Sequence, residues 1–135
     1  MTAASPVRNT LNEPFWQAAA EDRWMMPFCE RTGRAFWPPS PVSPFVTGGK
    51  VTWRTIEPVG MLRAVAVYRR VFDRDFASLM PYAVALIDLD AGPRLQAHLP
   101  HPDAPGAPRR GDRVRLRFKR ILEDGQPVPV VEKID

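Results

Sequence analysis

Residues 113–119 have the sequence RVRLRFK, in which basic and apolar side chains alternate without interruption. Successive side chains of a β-strand point to opposite faces, so Val114, Leu116 and Phe118 would share one face and the basic residues the other. The pattern predicts a strand that packs its apolar face on a core and leaves its arginines in solvent.

Four other segments have strand-like patterns of β-branched and apolar residues, bounded by turn residues. They are Met61 to Val71, Tyr82 to Leu89, Leu95 to Leu99 and Val128 to Val131. Turn signals at Asp90-Ala91-Gly92 and Asp124-Gly125 would fold the chain back on itself, while the proline-rich stretch from Pro100 to Arg110 is predicted to be a loop. Together these features predict a mainly β protein with a C-terminal five-stranded OB-fold barrel.

The N-terminal part begins with a polar stretch, residues 1–10, that we interpret as a flexible lead. Asn12 can cap a helix, Pro14 fits its first turn, and large apolar residues follow at roughly helical spacing. We predict a helix from about Pro14 to Trp24 and expect Pro27 to end it. Residues 11–26 would therefore form a helical arm.

Residues 27–56 have a different character. Turn signals at Thr32-Gly33 and Gly48-Gly49 predict two hairpin-like pieces, and four prolines from Pro38 to Pro44 exclude a helix between them. Such pieces are too small to bury a core of their own. The remaining residues, 57–135, contain the predicted barrel.

Composition sets broad limits on function. The 135-residue chain has a formal net charge of +4 and a pI of about 9.8, which weakly favours anionic partners. Cys29 is the only cysteine in the sequence, so neither an intramolecular disulfide nor a cysteine-based zinc site can form. No segment is long and apolar enough to span a bilayer, so we expect a soluble, cytoplasmic protein with no membrane partner.

Several motifs occur in an order that resembles a known family. They are Pro14-Phe15-Trp16, the hexapeptide from Cys29 to Arg34, Phe36-Trp37-Pro38-Pro39, Pro41-Val42-Ser43-Pro44, Trp53, Pro81 to Leu86, and the turn from Asp90 to Gly92. The family is the acyl-CoA-associated group once catalogued as domain of unknown function thirty-five. Its members have an N-terminal helix, a rubredoxin-like zinc ribbon and a C-terminal OB barrel, so the resemblance implies that residues 27–56 are a zinc-ribbon module.

The zinc ligands of that family are not kept in this sequence. The family binds zinc with two cysteine pairs, whereas the matching positions here are Cys29 with Thr32, and Ser43 with Val46. One thiolate cannot replace the four ligands of a structural zinc site, so we predict a degenerate, metal-free ribbon. Apolar burial would have to stabilise it instead. The residues available for this are Phe28, Phe36, Trp37, Phe45, Val46 and Trp53.

The resemblance also implies the role of an accessory subunit. Members of the family bind thiolase-fold enzymes, including acyltransferases, thiolases and aldolases, or accompany hotdog-fold enoyl-CoA hydratases, and they help to form or gate the acyl-CoA entrance. For this chain the resemblance implies a hetero-oligomer with such an enzyme. It further implies that the chain has no catalytic residues and binds no cofactor itself, with acyl-CoA held at the partner interface.

The residues themselves also argue against catalysis. His98 and His101 have no serine or cysteine nucleophile beside them, and no phosphate-binding glycine loop is present. Asp88 and Asp90 could form a carboxylate pair on one face of a strand, but a strand end running into a turn explains them better. Cys29 is interpreted as a packed remnant of the lost metal site rather than a reactive thiol.

Two sets of residues are candidates for contacts in the complex. An aromatic and methionine set would anchor the partner: Phe15, Trp16, Trp24, Met25 and Trp37. For the helical members of this set, packing on the chain's own barrel stays open as the alternative. A basic set would lie near the CoA phosphates: Arg31, Arg34, Lys50, Arg115 and Arg117. For the arginines of the RVRLRFK strand, a solvated outer face is the alternative.

Binding of single-stranded nucleic acid is the main alternative function, because OB barrels commonly bind it. That function needs aromatic stacking residues on the exposed faces of the central strands. The second barrel strand has alanine and aliphatic residues after Tyr82, and the third exposes Arg94, Gln96 and His98. This pattern contains no stacking row, so we disfavour nucleic acid as a partner.

Overall fold

A computed structural model describes residues 9–69, 81–122 and 125–134. Predictions that concern residues 1–8, Val71 and Asp124 lie outside these ranges. The described residues form one helix, α1 (Glu13–Ala19), and seven strands. The strands are β1 (Met25–Cys29), β2 (Val51–Thr55), β3 (Val59–Tyr68), β4 (Tyr82–Leu89), β5 (Arg94–Leu99), β6 (Arg113–Lys119) and β7 (Val128–Lys133).

Strands β3 to β7 form a closed five-stranded barrel in the order β3-β4-β5-β7-β6. The pairs are antiparallel except β5 and β7, which meet in parallel at His98 and Val130. The RVRLRFK segment is β6, and its side chains Val114, Leu116 and Phe118 are buried as predicted. The mainly β fold with a C-terminal OB-type barrel is therefore confirmed.

The barrel closes at Gly60. This residue pairs with Leu89 of β4 on one side and with Val114 of β6 on the other. A Cβ atom built on Gly60 would lie 2.2 Å from the carbonyl oxygen of Asp88, far inside van der Waals contact. Only glycine therefore lets the two neighbouring strands approach this closely. Beyond it, the register between β3 and β4 shifts by one residue between Leu62 and Ala64, as at a β-bulge, and the paired residues of β3 and β6 end at Met61.

The predicted helix is correct at its start and wrong at its end. It stops at Ala19 and not at Trp24, because the chain turns through Asp22, whose φ is +53°. The Asp22 carboxylate accepts hydrogen bonds from the backbone N–H of Phe118 at 3.0 Å and from Arg117, and these tertiary contacts hold the turn. Trp24 follows in the connection, and Pro27 lies within β1 opposite Trp53 instead of ending a helix.

Among the residues described, no helix has the length and apolarity needed to cross a membrane.

Residues 25–56, called the ribbon below, are organised by a pairing that the sequence analysis missed. Strands β1 and β2 pair antiparallel from Met25 opposite Thr55 to Cys29 opposite Val51, and so join the two predicted hairpin-like pieces into one unit. The predicted turn at Gly33 is present, with φ +72° and a bridge between Phe28 and Ala35. The division of the chain at residues 10, 26 and 56 stays a prediction.

One aromatic cluster joins the helix and the ribbon to the barrel. The rings of Trp24 and Phe118 stack with 4.0 Å between their centroids and 14° between their planes. Phe15 of α1 packs edge-on against both, at 5.7 Å from Trp24 and 5.3 Å from Phe118. Because these side chains belong to the same core as Leu116 and Ile87, the three parts of the chain share one hydrophobic core.

Replacing Trp24 with alanine should lower the free energy of unfolding by about 3–5 kcal/mol, because the ring is 3% exposed and its loss leaves a cavity beside Phe118. Chemical denaturation of the purified variant measures this. Val42→Ala is the control, since Val42 is 54% exposed and its truncation should cost no more than about 0.5 kcal/mol. Equal stability of the two variants would contradict a shared core.

Candidate partner-binding surface

A groove of about 440 Å³ lies where α1 and the ribbon meet the outer face of the barrel. Trp16 lines it from α1, Trp37 and Pro38 from the ribbon, and Leu86 from β4. Arg94 and Gln96 of β5 also line the groove. Trp16 and Trp37 are half-buried, so part of each ring remains open to a partner. Aromatic side chains with polar groups among them are typical of the centre and rim of a protein–protein interface.

The structure divides the predicted anchor residues into two groups. Phe15 and Trp24 are 2% and 3% exposed, so they offer a partner almost no surface. They pack on the chain's own barrel, which is the alternative that the sequence analysis left open. Trp16 and Trp37 lie together in the groove. Met25 is half-buried at the start of β1 and contacts Arg23, outside the groove lining.

The second half of β3, residues 63–68, forms an exposed surface that the sequence analysis missed. Every residue from Arg63 to Tyr68 is exposed, and the large apolar side chains Val65, Val67 and Tyr68 are 37%, 38% and 43% exposed. Ala64 and Ala66 pair with Leu86 and Val84 on the outer face, so this surface continues directly into the groove. The run of alternating alanine and valine without a charge, residues 64–67, was the available signal in the sequence.

A row of three rings crosses the outer face of the barrel near the end of β3 and the start of β4. The sequence analysis predicted no such row. Tyr68 pairs with Tyr82, with ring centroids 6.2 Å apart, and the His98 ring stacks on Tyr82 at 5.0 Å. His98 is 7% exposed and Tyr82 is half-buried, so only the Tyr68 ring is open enough to stack on a base. The row therefore provides one accessible ring and not the series that single-stranded nucleic acid requires.

The cationic face of β6 is largely neutralised by carboxylates. Arg113 contacts Asp90 at 2.5 Å, Arg115 contacts Glu57 at 2.7 Å and Arg117 contacts Asp22 at 3.0 Å. The predicted solvated face is thus present, but two of the five CoA-proximal candidates, Arg115 and Arg117, already have anionic partners. These pairs are exposed, so each contributes little to stability.

The other three CoA-proximal candidates lie on the ribbon. Arg31, Arg34 and Lys50 are exposed and form no ion pair with any residue that the structure describes. Lys50 lies next to the turn that contains Arg31, because the carbonyl of Lys50 accepts a hydrogen bond from the backbone N–H of Glu30. Arg34 lies 4.0 Å above the Phe45 ring. Of the basic set, these side chains are the ones whose charge remains available for an anion.

Asp88 and Asp90 are each paired with arginine. Asp88 binds Arg94 at 2.7 Å and Arg63 at 3.2 Å, and these partners hold its pKa below the ordinary value. Hydrogen bonding to Arg113 likewise lowers the pKa of Asp90. A carboxylate held ionised by guanidinium groups is a poor general acid, so the structure supports the interpretation of these residues as a strand end and turn.

A small polar cluster occupies the positions that the resemblance matches to zinc-binding cysteines. The Ser43 hydroxyl accepts hydrogen bonds from the backbone N–H groups of Phe45 at 3.0 Å and Val46 at 3.3 Å. Thr32 Oγ1 accepts one from Arg34 N at 3.2 Å. Hydrogen bonds from Ser43 and then Thr32 lower the pKa of the buried Cys29 thiol to about 7. The cluster therefore links both turns of the ribbon through hydroxyl and thiol groups.

This donor set does not fit a structural zinc ion. Cys29, Thr32, Ser43 and Val46 offer one thiol, two hydroxyls and an alkyl group, whereas zinc takes thiolate, imidazole or carboxylate ligands. No group of three or more His, Cys, Asp or Glu side chains with metal-binding geometry occurs in the described part of the chain. The predicted apolar substitute is present only in part: Phe36 is 6% exposed, but Phe45 is 36% exposed.

Comparisons with known proteins support the OB-type barrel. The family model for the C-terminal OB-fold domain of ChsH2 matches residues 53–119. A solved structure described as an Ltp2–ChsH2(DUF35) aldolase is similar to this chain with a TM-score of 0.79 and 25% sequence identity. The similarity covers 95% of this chain and 98% of the matched chain. No curated protein gives a significant sequence match.

Removing the Ser43 hydroxyl should destabilise the ribbon. In Ser43→Ala two partly buried backbone N–H groups lose their acceptor, so the free energy of unfolding should fall by about 1–3 kcal/mol. Ser40→Ala is a matched control, because the Ser40 hydroxyl also accepts a backbone N–H two residues ahead but lies in a more exposed turn. Both variants can be compared by urea denaturation, and a cost for Ser43→Ala no larger than that for Ser40→Ala would disprove the role of the cluster.

His98 should make the folded chain less stable in mild acid. Burial, with a smaller contribution from His101, lowers the pKa of His98 from 6.5 to about 4. Between these pH values the unfolded chain binds the proton and the folded chain does not, so the free energy of unfolding should decrease as the pH falls. Asp22, Asp88, Asp90 and Asp103, whose pKa values are also lowered, lose their contribution only as the pH falls towards and below 3.8.

The measurement is a series of denaturation curves from pH 7 to pH 4. His98→Phe should flatten the slope in this range, because phenylalanine keeps a ring against Tyr82 and removes the titrating group. His101→Asn, at an exposed position, should retain most of the slope. If the His98→Phe slope equalled that of the unchanged chain, another group would be responsible.

Proposed function

This chain belongs to the DUF35/OB-fold family, and on that premise we propose that it is a non-catalytic accessory subunit of an acyl-CoA enzyme. The observation that carries the proposal is the groove between α1, the ribbon and the barrel, where Trp16, Trp37 and Leu86 form an accessible apolar surface. The solved structure with the same fold is described as an aldolase of Ltp2 and ChsH2, in which the DUF35 chain accompanies a second protein.

The chemistry of the described residues supports a non-catalytic role. The Cys29 thiol is fully buried, and His98 is 7% exposed with a lowered pKa, so neither group can reach a substrate from solvent. Asp88 and Asp90 are held by arginines. Catalysis would then belong to the partner, as it does when one subunit positions a substrate and another reacts with it.

We further propose that the partner has a thiolase fold, with a hotdog-fold hydratase as the second choice, and that this chain helps to form its acyl-CoA entrance. The support for the contact with acyl-CoA is electrostatic. Arg31, Arg34 and Lys50 lie on the ribbon and form no ion pair with the described residues, and CoA carries phosphate groups that such side chains attract. Arg115 and Arg117 are less suited to this contact because each already binds a carboxylate.

Affinity purification of the tagged chain from its native cells should recover an acyl-CoA enzyme in near-stoichiometric amount, identified by mass spectrometry. Leu86→Lys should abolish this recovery, because it places a charge in the apolar groove. Val42→Lys is the control: it also adds a charge at an apolar, 54% exposed position, but one outside the groove lining, and it should retain the enzyme. Both variants should fold as the unchanged chain does by circular dichroism.

Recovery of the chain alone, or with nucleic acid, would contradict the proposal. The ring row of Tyr68, Tyr82 and His98 is the observation that keeps nucleic acid as the rival. Titration of a fluorescent oligothymidine at physiological salt tests it directly. We expect no tight binding, because the single accessible ring of this row and a neutralised β6 face give neither a stacking platform nor a continuous phosphate track.

A further inference from the structure

We infer that the partner segment that fills the groove carries a carboxylate group, and that Arg63 and Arg94 bind this group beside the apolar lining. The inference rests on the proposed function, because it states what kind of partner the groove accepts. Apolar side chains alone would fill the space between Trp16, Trp37 and Leu86, whereas an aspartate or glutamate next to them adds selectivity.

The polar side of the groove is set by the pairing of β4 with β5. Leu86 lies opposite Gln96, and Asp88, two residues further along β4, lies opposite Arg94. Residues two apart on a strand face the same side of the sheet, so Asp88 lies on the outer face next to Leu86. Leu86, Gln96 and Arg94 all line the groove, which therefore borders on the Asp88 carboxylate.

An irregularity in β3 brings a second arginine to the same carboxylate. The register of β3 against β4 shifts between Leu62 and Ala64, and Arg63 is the extra residue there. A residue at a β-bulge is unpaired in the ladder, so its side chain is aimed differently from those of its neighbours. Arg63 Nη1 donates to Asp88 Oδ2 at 3.2 Å, and Arg94 Nε donates to Asp88 Oδ1 at 2.7 Å. One carboxylate therefore bridges two guanidinium groups.

The cluster of Arg63, Asp88 and Arg94 has an excess of positive charge, because two guanidinium groups share a single carboxylate. Neither arginine forms an ion pair with any other carboxylate of the described residues. Each arginine of β6, by contrast, has a carboxylate of its own. Among the ion pairs of the barrel strands, this cluster is therefore the one that can attract an anion at the groove.

Both guanidinium groups can bind a second carboxylate. Each donates to Asp88 through one nitrogen, and a guanidinium has further N–H donors in a fork that matches the two oxygens of a carboxylate. The side chains of Arg63 and Arg94 are 50% and 51% exposed, so a partner can reach them. Exposed ion pairs such as these are weak, so rearranging them around an incoming carboxylate costs little.

The excess charge selects a partner segment that has an acidic side chain among apolar ones, because complementary potentials across an interface favour association. Residues 1–8 of this chain include Arg8 and no aspartate or glutamate, so they have no side-chain carboxylate for the cluster to bind. A basic or wholly apolar segment of the partner would leave the two arginines unmatched at the border of the interface.

Asp88→Asn tests the inference through a gain of affinity. It removes the internal carboxylate and leaves both arginines to the partner, so the affinity for the co-purified enzyme should rise by about threefold or more, measured by biolayer interferometry at low salt. Asp90→Asn is the matched control, because it makes the same change of charge and size at a carboxylate that binds Arg113 outside the groove lining. It should bind as the unchanged chain does.

Arg63→Gln and Arg94→Gln test the same contact by loss. Each should weaken binding by about threefold or more and reduce the dependence of the affinity on salt, because an ion pair with the partner is lost. Arg113→Gln is the control, since it removes an equally exposed guanidinium that pairs with Asp90. Its affinity and its salt dependence should match those of the unchanged chain.

The outcomes separate the two proposals. If the unchanged chain recovers no enzyme, the proposed function fails. If it recovers the enzyme and Asp88→Asn leaves the affinity unchanged or lowers it, the proposed function stands and the inference of an acidic partner segment is overturned. Equal losses of affinity in Arg63→Gln and Arg113→Gln would reflect net charge alone, and losses that follow a lowered melting temperature would assign the cluster to this chain's own packing; either result overturns the inference.

Discussion

The stacked pair of Trp24 and Phe118 is the contact on which the arrangement of the whole chain depends. Phe118 belongs to the barrel, Trp24 precedes the first ribbon strand, and Phe15 of the helix packs edge-on against both rings. The Asp22 carboxylate adds a directional hydrogen bond to the Phe118 backbone N–H. An apolar stack fixes the distance between the parts, and the hydrogen bond fixes their orientation. Phe15 also contacts the rings of Trp16 and Trp37, whose centroids lie 4.9 and 4.7 Å from its own, and so connects the stacked pair to the two tryptophans of the groove.

Pairing of charges decides which parts of a basic protein can attract an anion. The chain carries a net positive charge, yet the arginines of β6 each face a carboxylate contributed by another segment: Asp90, Glu57 and Asp22. On the ribbon, Arg31, Arg34 and Lys50 form no ion pair with a carboxylate of the described residues. The density of arginine along the sequence therefore pointed to β6, whereas the distribution of free charge in space points to the ribbon.

The ribbon shows how a module of this shape can be held by local hydrogen bonds. Ser43 and Thr32 accept backbone N–H groups within their own turns, and both hydrogen-bond to the Cys29 thiol between the turns. Each hydroxyl satisfies groups that a tight turn leaves unpaired. Aromatic burial contributes less than the composition of the ribbon indicated, because Phe45 remains exposed and stacks with Arg34. Attachment to the common core adds to these hydrogen bonds, because Met26 and Ala35 of the ribbon are buried in that core.

The sequence by itself determined the barrel, because period-two alternation and turn residues act locally: RVRLRFK, the Tyr82 to Leu89 segment and the Asp90-Ala91-Gly92 turn all lie where their patterns predicted. It also indicated that two tryptophans, Trp16 and Trp37, were candidates for an accessible surface. Only the tertiary structure decided that Phe15 and Trp24 are core, that Arg115 and Arg117 are paired, and that residues 63–68 are exposed. Burial and ion pairing at these residues depend on which distant segment packs against them. The periodicity of a strand or helix predicts which residues share a face, but it does not predict which segment that face contacts.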